Sequence, residues 1–560
     1  MTSRRGSALL LGIDVGTSGC KVAAYDLDGV RRAQASRPYP LLTPGPGRVE
    51  QNPDQWWQAA ILATREVTAR VDPARIVGVG ASGQSWSVVP ISDDGEVLAH
   101  SPIWMDCSTD AISRELATRI GTPRLLSVSG NPLQPSYSTT KIIRLRREHP
   151  DLYQRTRVFL QSNGFIGWQL TGVASLDRCQ AYGLHCFDTT TGQYDARLAD
   201  DLGLDLDKQP DLVDCHHVIG QVSDQAAGLT GLRAGTPVVA GGLDAACAAF
   251  GAGVWQPGQV QEQGGQAGGM SVVTNRPTVD QRLILSRHVV PGLWLTQGGT
   301  VAGGASLQWV YDQLGHPQMS FEDIDREAAA IQAGSDGTWY LPYLAGERSP
   351  LWDPAACGVF YGLRLTTSRA AMFRAVMEGV AYSLLDNLTV AEQAGADARQ
   401  LRATGGAAAS RLWTQIKADV TGRIIHVPAA TQPSTLGAAL LAGIGVGAYR
   451  GFSDAAAITG QISRTHIPGE DQPVYVEGFE VYRQLYRALK PLMAITHGPD
   501  RPSGHARPAT PAIPSSTPST QAAPDPMTHT TPTASTPSLT PTSRASVAPH
   551  PPTSDRRPSC

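Results

Sequence analysis

The chain has 560 residues, 41% of them hydrophobic and 17% charged, which is apolar material for two to four buried units at roughly 150 residues each. Its 46 Lys and Arg against 49 Asp and Glu give a formal net charge of -3, so there is no basic surplus to neutralise a phosphate backbone or an anionic membrane, and nucleic acid is excluded as the main partner. The 8 cysteines are scattered without one Cys-x-x-Cys pair, which argues against a zinc site or a disulfide framework and fits a reducing cytosol.

Arg4 and Arg5 precede an apolar run, but Asp14 interrupts it and no small-residue cleavage site follows, so residues 8–14 read as a buried first strand and not as an export signal. No stretch approaches the about 18 apolar residues that a membrane helix needs, and the expectation is a soluble cytoplasmic protein. Gly16-Thr17-Ser18-Gly19 reads as a tight turn and residues 21–26 as a returning strand, a hairpin with a glycine tip. Asn52-Pro53-Asp54 caps a helix through Trp57, Ile61 and Val67, and residues 76–81 and 88–91 resume the sheet.

The second half repeats the theme. Residues 259–263 form a short strand, Gly264 to Gly269 a glycine-rich turn, and residues 270–274 a strand leading out. Two glycine-tipped hairpins, one opening each half, suggest duplicated units facing one another across a cleft. Helical periodicity covers residues 370–393, 410–420, 434–441 and a closing helix at 482–494, with strands at 401–404 and 424–427. From about Pro499 the composition turns to Pro, Thr, Ser and Ala, a tail predicted to be disordered because it cannot bury enough surface to offset its ordering entropy. Alternating strands and helices before it predict an α/β protein with two large lobes.

Several residues carry chemistry. In Gly12-Ile-Asp14-Val-Gly16-Thr17-Ser18-Gly19-Cys-Lys21 the glycines let the backbone approach a ligand and turn N–H groups toward an anion. Thr17 and Ser18 add hydroxyl donors, and Asp14 is placed to hold hydrated magnesium. The spacing to Lys21 is wrong for a Walker A loop, and an ordinary hairpin with a turn-forming Asp is the alternative. Asp244 follows a strand that runs into Gly241-Gly242, at the edge where open α/β sheets bind ligands; it is either a helix cap or a base positioned to deprotonate an alcohol. Glu347 and Arg348, bracketed by Pro342 and Pro350, are expected to form a buried salt bridge, and Trp56, Trp57 and Trp168 to serve as core or interface anchors.

The segment from Gly12 to Lys21, with Leu341-Pro-Tyr-Leu-Ala-Gly-Glu-Arg-Ser-Pro350, Asp353-Pro and Gly358-Val-Phe-Tyr-Gly-Leu363, resembles the FGGY family of carbohydrate kinases, and within it the xylulokinases. The resemblance extends to about residue 495. It implies two ribonuclease-H-like domains of the actin, hexokinase and Hsp70 type around a central cleft: residues 1–254 for sugar and catalytic base, 255–497 for nucleotide, and 498–560 as the tail. It further implies ATP with Mg2+ as cofactors, a small sugar as substrate, Asp244 as base, and homodimers as a possibility. Gly16, Thr17, Ser18, Lys21, Gly265, Gln266, Gly303, Gly304, Gly405 and Gly406 would face ATP. Gln266 stands where the family usually carries threonine, an amide in place of a hydroxyl. Gln84, Ser85, Trp86 and Asp106 would face the sugar. Ser85 and Trp86 replace the Met-His pair usual in xylulokinases, and an indole donates one N–H but accepts nothing. The activity implied is phosphorylation of D-xylulose to D-xylulose 5-phosphate; another ketose, or a polyol such as glycerol, is the alternative within the family. A non-catalytic sugar-binding regulator is the alternative outside it, favoured by Gln266 and opposed by Asp14 and Asp244.

Overall fold

Residues 8–316 and 318–497 are described, in a computed structural model; the predicted tail and Arg4 and Arg5 lie outside the described residues. The first hairpin forms where the glycines placed it. Strand β1 (Leu9–Val15) is buried along its length and turns into β2 (Gly19–Asp26), which pairs antiparallel with β3 (Arg31–Pro38). Asn52 caps α1 (Pro53–Thr68) by accepting the Asp54 N–H, and Pro53 occupies the first turn, where no helical N–H is needed. Trp56 on this helix is wholly buried and its Nε1 donates to Gln51 Oε1 at 3.0 Å, a core anchor as expected.

Strand β4 (Ile76–Gly83) joins β1 in parallel, but residues 88–91 do not extend that sheet. Trp86 adopts φ 59°, a left-handed conformation that breaks the extended path, so β5 (Val89–Ser92) pairs with β6 (Thr156–Leu160) in a separate two-stranded sheet. Helix α2 (Ser138–Glu148) lies between these two strands in sequence. Strands β7 (Val218–Gln221) and β8 (Pro237–Leu243) complete a six-stranded sheet of order β7-β8-β4-β1-β2-β3, and α3 (Asp244–Gly251) begins directly where β8 ends.

The second half repeats this order. Strands β9 (Gln259–Gly264) and β10 (Gly268–Thr274) form the predicted hairpin, with Gly265-Gln266-Ala267 as its tip. After β11 (Ile284–Arg287) and β12 (Trp294–Thr300) come α4 (Gly303–Leu314) and the long buried α5 (Arg369–Gln393). Next follow β13 (Gln400–Thr404), α6 (Arg411–Thr421), β14 (Ile425–Pro428), α7 (Pro433–Gly445), β15 (Ile462–His466) and α8 (Gln472–His497). The seven-stranded sheet runs β11-β12-β10-β9-β13-β14-β15. In both sheets a hairpin extended by antiparallel strands lies beside two parallel strands and an antiparallel edge strand, so the duplication suggested by the two hairpins is present in the topology.

Helix α7 lies between β14 and β15 of the second sheet in sequence but packs against β1 and β4 of the first. Glycine makes this possible: a Cβ on Gly12 would sit 1.9 Å from Thr435 O, and one on Gly437 would sit 1.9 Å from Cys247 O. The backbones of β1, α3 and α7 thus touch, which fixes the strand ends that carry Asp14 and Asp244. No helix among the described residues is long and apolar enough to cross a membrane.

Candidate active site

Strands β1, β4 and β8 are mutually parallel, so their C-terminal ends share one edge; Asp14 stands opposite Ser82, and Leu243 opposite Gly83. Ligands in open α/β sheets bind at such an edge. A cleft of about 210 Å³ opens there. Thr17, Ser85, Trp86, Trp104, Tyr182 and Asp244 line it from the first half, and Gln263, Gly268, Gly269, Gln297, Gly299 and Arg348 from the second.

Asp244 opens onto this cleft at the start of α3, with its Oδ1 accepting the Ala245 N–H at 2.6 Å. Burial, with the nearby negative charge of Asp14 adding to it, pushes its carboxyl up to about 7. Asp14 is itself buried and its carboxyl is raised by that burial, offset in part by Lys21 across the hairpin and by Ser82, whose hydroxyl donates to Oδ1 at 2.8 Å. Two neighbouring carboxylates, Asp14 buried and Asp244 opening onto the cleft, form a site whose negative charge a divalent cation would relieve.

The aromatic wall is built on a strained residue. Trp86 sits in the left-handed region, stacks on Tyr137 with ring centroids 4.2 Å apart, and keeps an Nε1 that is buried without a partner among the described residues. Tyr182 donates to Ser85 Oγ at 3.2 Å. Behind this wall Lys141 of α2 is buried, and its ammonium donates to Trp86 O at 3.0 Å and Ile103 O at 2.7 Å; burial pushes it down to about 7. The Trp104 indole donates to Thr17 Oγ1 at 2.9 Å, which leaves the threonine hydroxyl hydrogen free to be offered to a ligand.

The glycine groups expected to face ATP come together at the matching edge of the second sheet. Gly304 N–H donates to Gly265 O and Ala305 N–H to Gln266 O, both at 2.9 Å, so the tip of the β9–β10 hairpin rests on the start of α4. A Cβ on Gly405 would lie 2.6 Å from Gly264 O, and Gly406 has open space around it. Gly303 packs on Gly268, while Gly16, Ser18 and Lys21 sit on the first hairpin, Ser18 and Lys21 exposed.

Three expectations need correction. Gln84 does not face the cleft: it is wholly buried, and its amide donates to Gln51 Oε1 at 2.7 Å. Asp106 is also wholly buried, accepting from Val49 N, Ser108 N and Ser108 Oγ and pairing with Arg144 at 3.4 Å, so it braces a loop and presents no fork to sugar hydroxyls. Glu347 and Arg348 do not form an ion pair, because Glu347 Oε1 turns back to accept Val301 N–H and Arg348 N–H while the arginine extends into the cleft. Tyr182, Lys141 and the cleft role of Arg348 went unread; only the proline-bracketed loop around Arg348 offered a signal. Under Asp244, the buried Cys179 and Cys215 thiols and Asp177 gather within 4.8 Å. Cys179 donates to Asp177 Oδ1 at 2.9 Å and its sulfur accepts Leu243 N–H at 3.2 Å. Burial pushes the Cys179 thiol up, so it stays neutral, and its sulfur supports the backbone before Asp244 by accepting the Leu243 N–H.

Residues 9–251 match the N-terminal domain of the FGGY family of carbohydrate kinases, and residues 233–446 match its C-terminal domain. The chain belongs to that family. It is therefore a sugar kinase, a phosphotransferase of a family whose phosphoryl donor is ATP, and it has the actin- and hexokinase-like fold expected. Among curated relatives, the xylulose kinase of Bacillus subtilis is 29% identical over 489 residues, 86% of this chain and 97% of that protein. The L-xylulose/3-keto-L-gulonate kinase of Escherichia coli is 28% identical over 491 residues, 86% of this chain and 97% of that protein. The crystal structure of xylulose kinase from Rhodospirillum rubrum superposes with a TM-score of 0.80 at 30% identity, covering 87% of this chain and 99% of that one.

Proposed function

We propose that this FGGY kinase phosphorylates D-xylulose at its terminal hydroxyl to give D-xylulose 5-phosphate. The observation that carries the mechanism is Asp244: a carboxylate raised to about 7 and opening into a cleft with an aromatic wall on one side and a glycine-rich wall on the other. At neutral pH such a group is part ionised and basic enough to take a hydroxyl proton, a contribution of about 10²- to 10⁴-fold. As the proton passes to Asp244, the hydroxyl oxygen bonds to the γ-phosphorus and the bond to the bridging oxygen breaks, releasing ADP.

Ser85, whose Oγ accepts from Tyr182 and keeps its own hydrogen to donate, is the donor offered to the sugar beside the Trp86 ring, and Lys141 holds the wall through the Trp86 carbonyl. Thr17, Gly265 and the Gly303 to Gly304 and Gly405 to Gly406 turns are the groups that would cradle the phosphates. Asp14 would hold magnesium through water, consistent with its burial beside Asp244; the ion would supply charge neutralisation at the β- and γ-oxygens. Closure of the halves would exclude water that otherwise competes with the sugar. The similarity to proteins named xylulose kinase supports the ketose; Trp86 in place of histidine is the feature that favours a different one.

The test is ADP release with Mg-ATP against D-xylulose, L-xylulose, D-ribulose, L-ribulose, glycerol, D-fructose and no sugar. D-Xylulose is expected to give the highest kcat/KM. A higher value for another sugar would move the specificity and keep the chemistry.

A further inference from the structure

Arg348 is the one guanidinium among the residues lining the cleft. Its backbone is fixed on both sides: Arg348 N–H donates to Glu347 Oε1 at 2.8 Å, and Arg348 O accepts from Leu351 N at 2.8 Å and Trp352 N at 2.6 Å. The side chain reaches across the cleft, so that its Cζ lies 4.9 Å from the ring centroid of Trp104 on the opposite wall. Gly299 leaves room for it: a Cβ there would sit 3.0 Å from Arg348 Nη2.

Arg348 Nε is buried with no hydrogen-bond partner, and no carboxylate among the described residues forms an ion pair with this guanidinium. The adjacent carboxyl does not compensate. Glu347 is turned toward Val301 N–H, and burial pushes it up to about 8, so it is mostly protonated and neutral at pH 7. A planar cation withdrawn from water without an anion is costly, and a bidentate oxyanion is the group that matches its fork. The fold maintains that arrangement by fixing the loop and by keeping residue 299 without a side chain.

We infer that Arg348 binds an oxyanion of the ligand inside the cleft. This rests on the cleft being the kinase site. Two sources offer the same chemistry: the γ-phosphoryl oxygens of ATP, which the proposed function brings to the glycine side of the cleft, and the carboxylate of a sugar-acid substrate.

The experiment uses the full chain and its Arg348→Gln and Arg348→Lys variants. Calorimetry measures the affinities for Mg-ATP and Mg-ADP without sugar, and for D-gluconate, beside the melting temperature of each protein. If the oxyanion is the γ-phosphoryl group, Arg348→Gln lowers the ATP-over-ADP preference by about 10- to 150-fold and Arg348→Lys by less, while ADP binding stays unchanged. If it is a substrate carboxylate, the ATP-over-ADP preference is unchanged and the loss of that size falls on D-gluconate. Ligand affinities within twofold of wild type overturn the inference. So does an equal weakening of ATP and ADP together with a lowered melting temperature, which would mean that Arg348 only packs on Trp104. The nucleotide measurement contains no sugar, so an error in the choice of D-xylulose does not alter its outcome.

Discussion

Replacing Asp244 by Asn separates a base from a helix cap. The Asp244 carboxyl is raised from about 3.8 to about 7, roughly three units at 1.36 kcal/mol each, so holding it ionised costs the fold about 4 kcal/mol at most. Water in the cleft screens part of that, leaving about 1–3 kcal/mol. Above pH 7 the carboxyl is ionised folded and unfolded, and the full penalty applies. Between pH 7 and 4 the folded protein holds a proton that the unfolded chain has released, so the penalty shrinks as pH falls and vanishes below about 4. Asp244→Asn should therefore melt at a higher temperature than wild type at pH 8, with the advantage fading toward pH 4.5, while sugar phosphorylation drops 10²- to 10⁴-fold. Thermal scans of the ligand-free proteins at the two pH values check this. A variant that is less stable at pH 8, or whose stability difference is independent of pH, would refute the reasoning and make Asp244 a structural cap.

The same carboxyl predicts the pH profile: kcat/KM should fall about tenfold per unit below pH 7 and level off above it, checked by rates at fixed low sugar between pH 5.5 and 8.5. Lys141→Met removes the ammonium from Trp86 O and Ile103 O and leaves two buried carbonyls without their donor. We expect about 2–4 kcal/mol lower stability and a raised KM for sugar with KM for ATP little changed, read from denaturation and steady-state kinetics. Gly12→Ala forces a methyl onto Thr435 O at 1.9 Å, so β1 and α7 must separate; a loss of about 2–4 kcal/mol and a lowered melting temperature are expected.

Much of the architecture was legible because glycine and alternation punctuate it. Both hairpins, the capped helix after Asn52 and the long helix ending at Gln393 appear close to their predicted bounds. Helix α8 begins at Gln472, earlier than its apolar spacing indicated, because Pro473 and Gly478 dilute the period while Tyr475 and Phe479 still reach the core. The sheet membership of residues 88–91 depended on a left-handed Trp86, which no propensity announces. The roles proposed for the strand-end carboxylates and glycine turns came from the resemblance to the family, because a strand-end Asp alone reads equally as a helix cap and a glycine pair as an ordinary turn. Gln84 and Asp106 were misplaced and Arg348 underrated for one reason: a polar residue beside a motif can point inward to brace a loop or outward to a ligand, and the choice is made by long-range neighbours such as Gln51, Arg144 and Val301.

The central claim, transfer of a phosphoryl group from ATP to a sugar alcohol in the cleft between the two sheets, is tested most directly by following the reaction with D-xylulose by phosphorus NMR. The account predicts one sugar phosphate monoester at the terminal carbon for each ADP formed, with no more inorganic phosphate than in the absence of sugar. ADP accompanied only by inorganic phosphate, or no consumption of ATP with any sugar while ATP still binds, would contradict it.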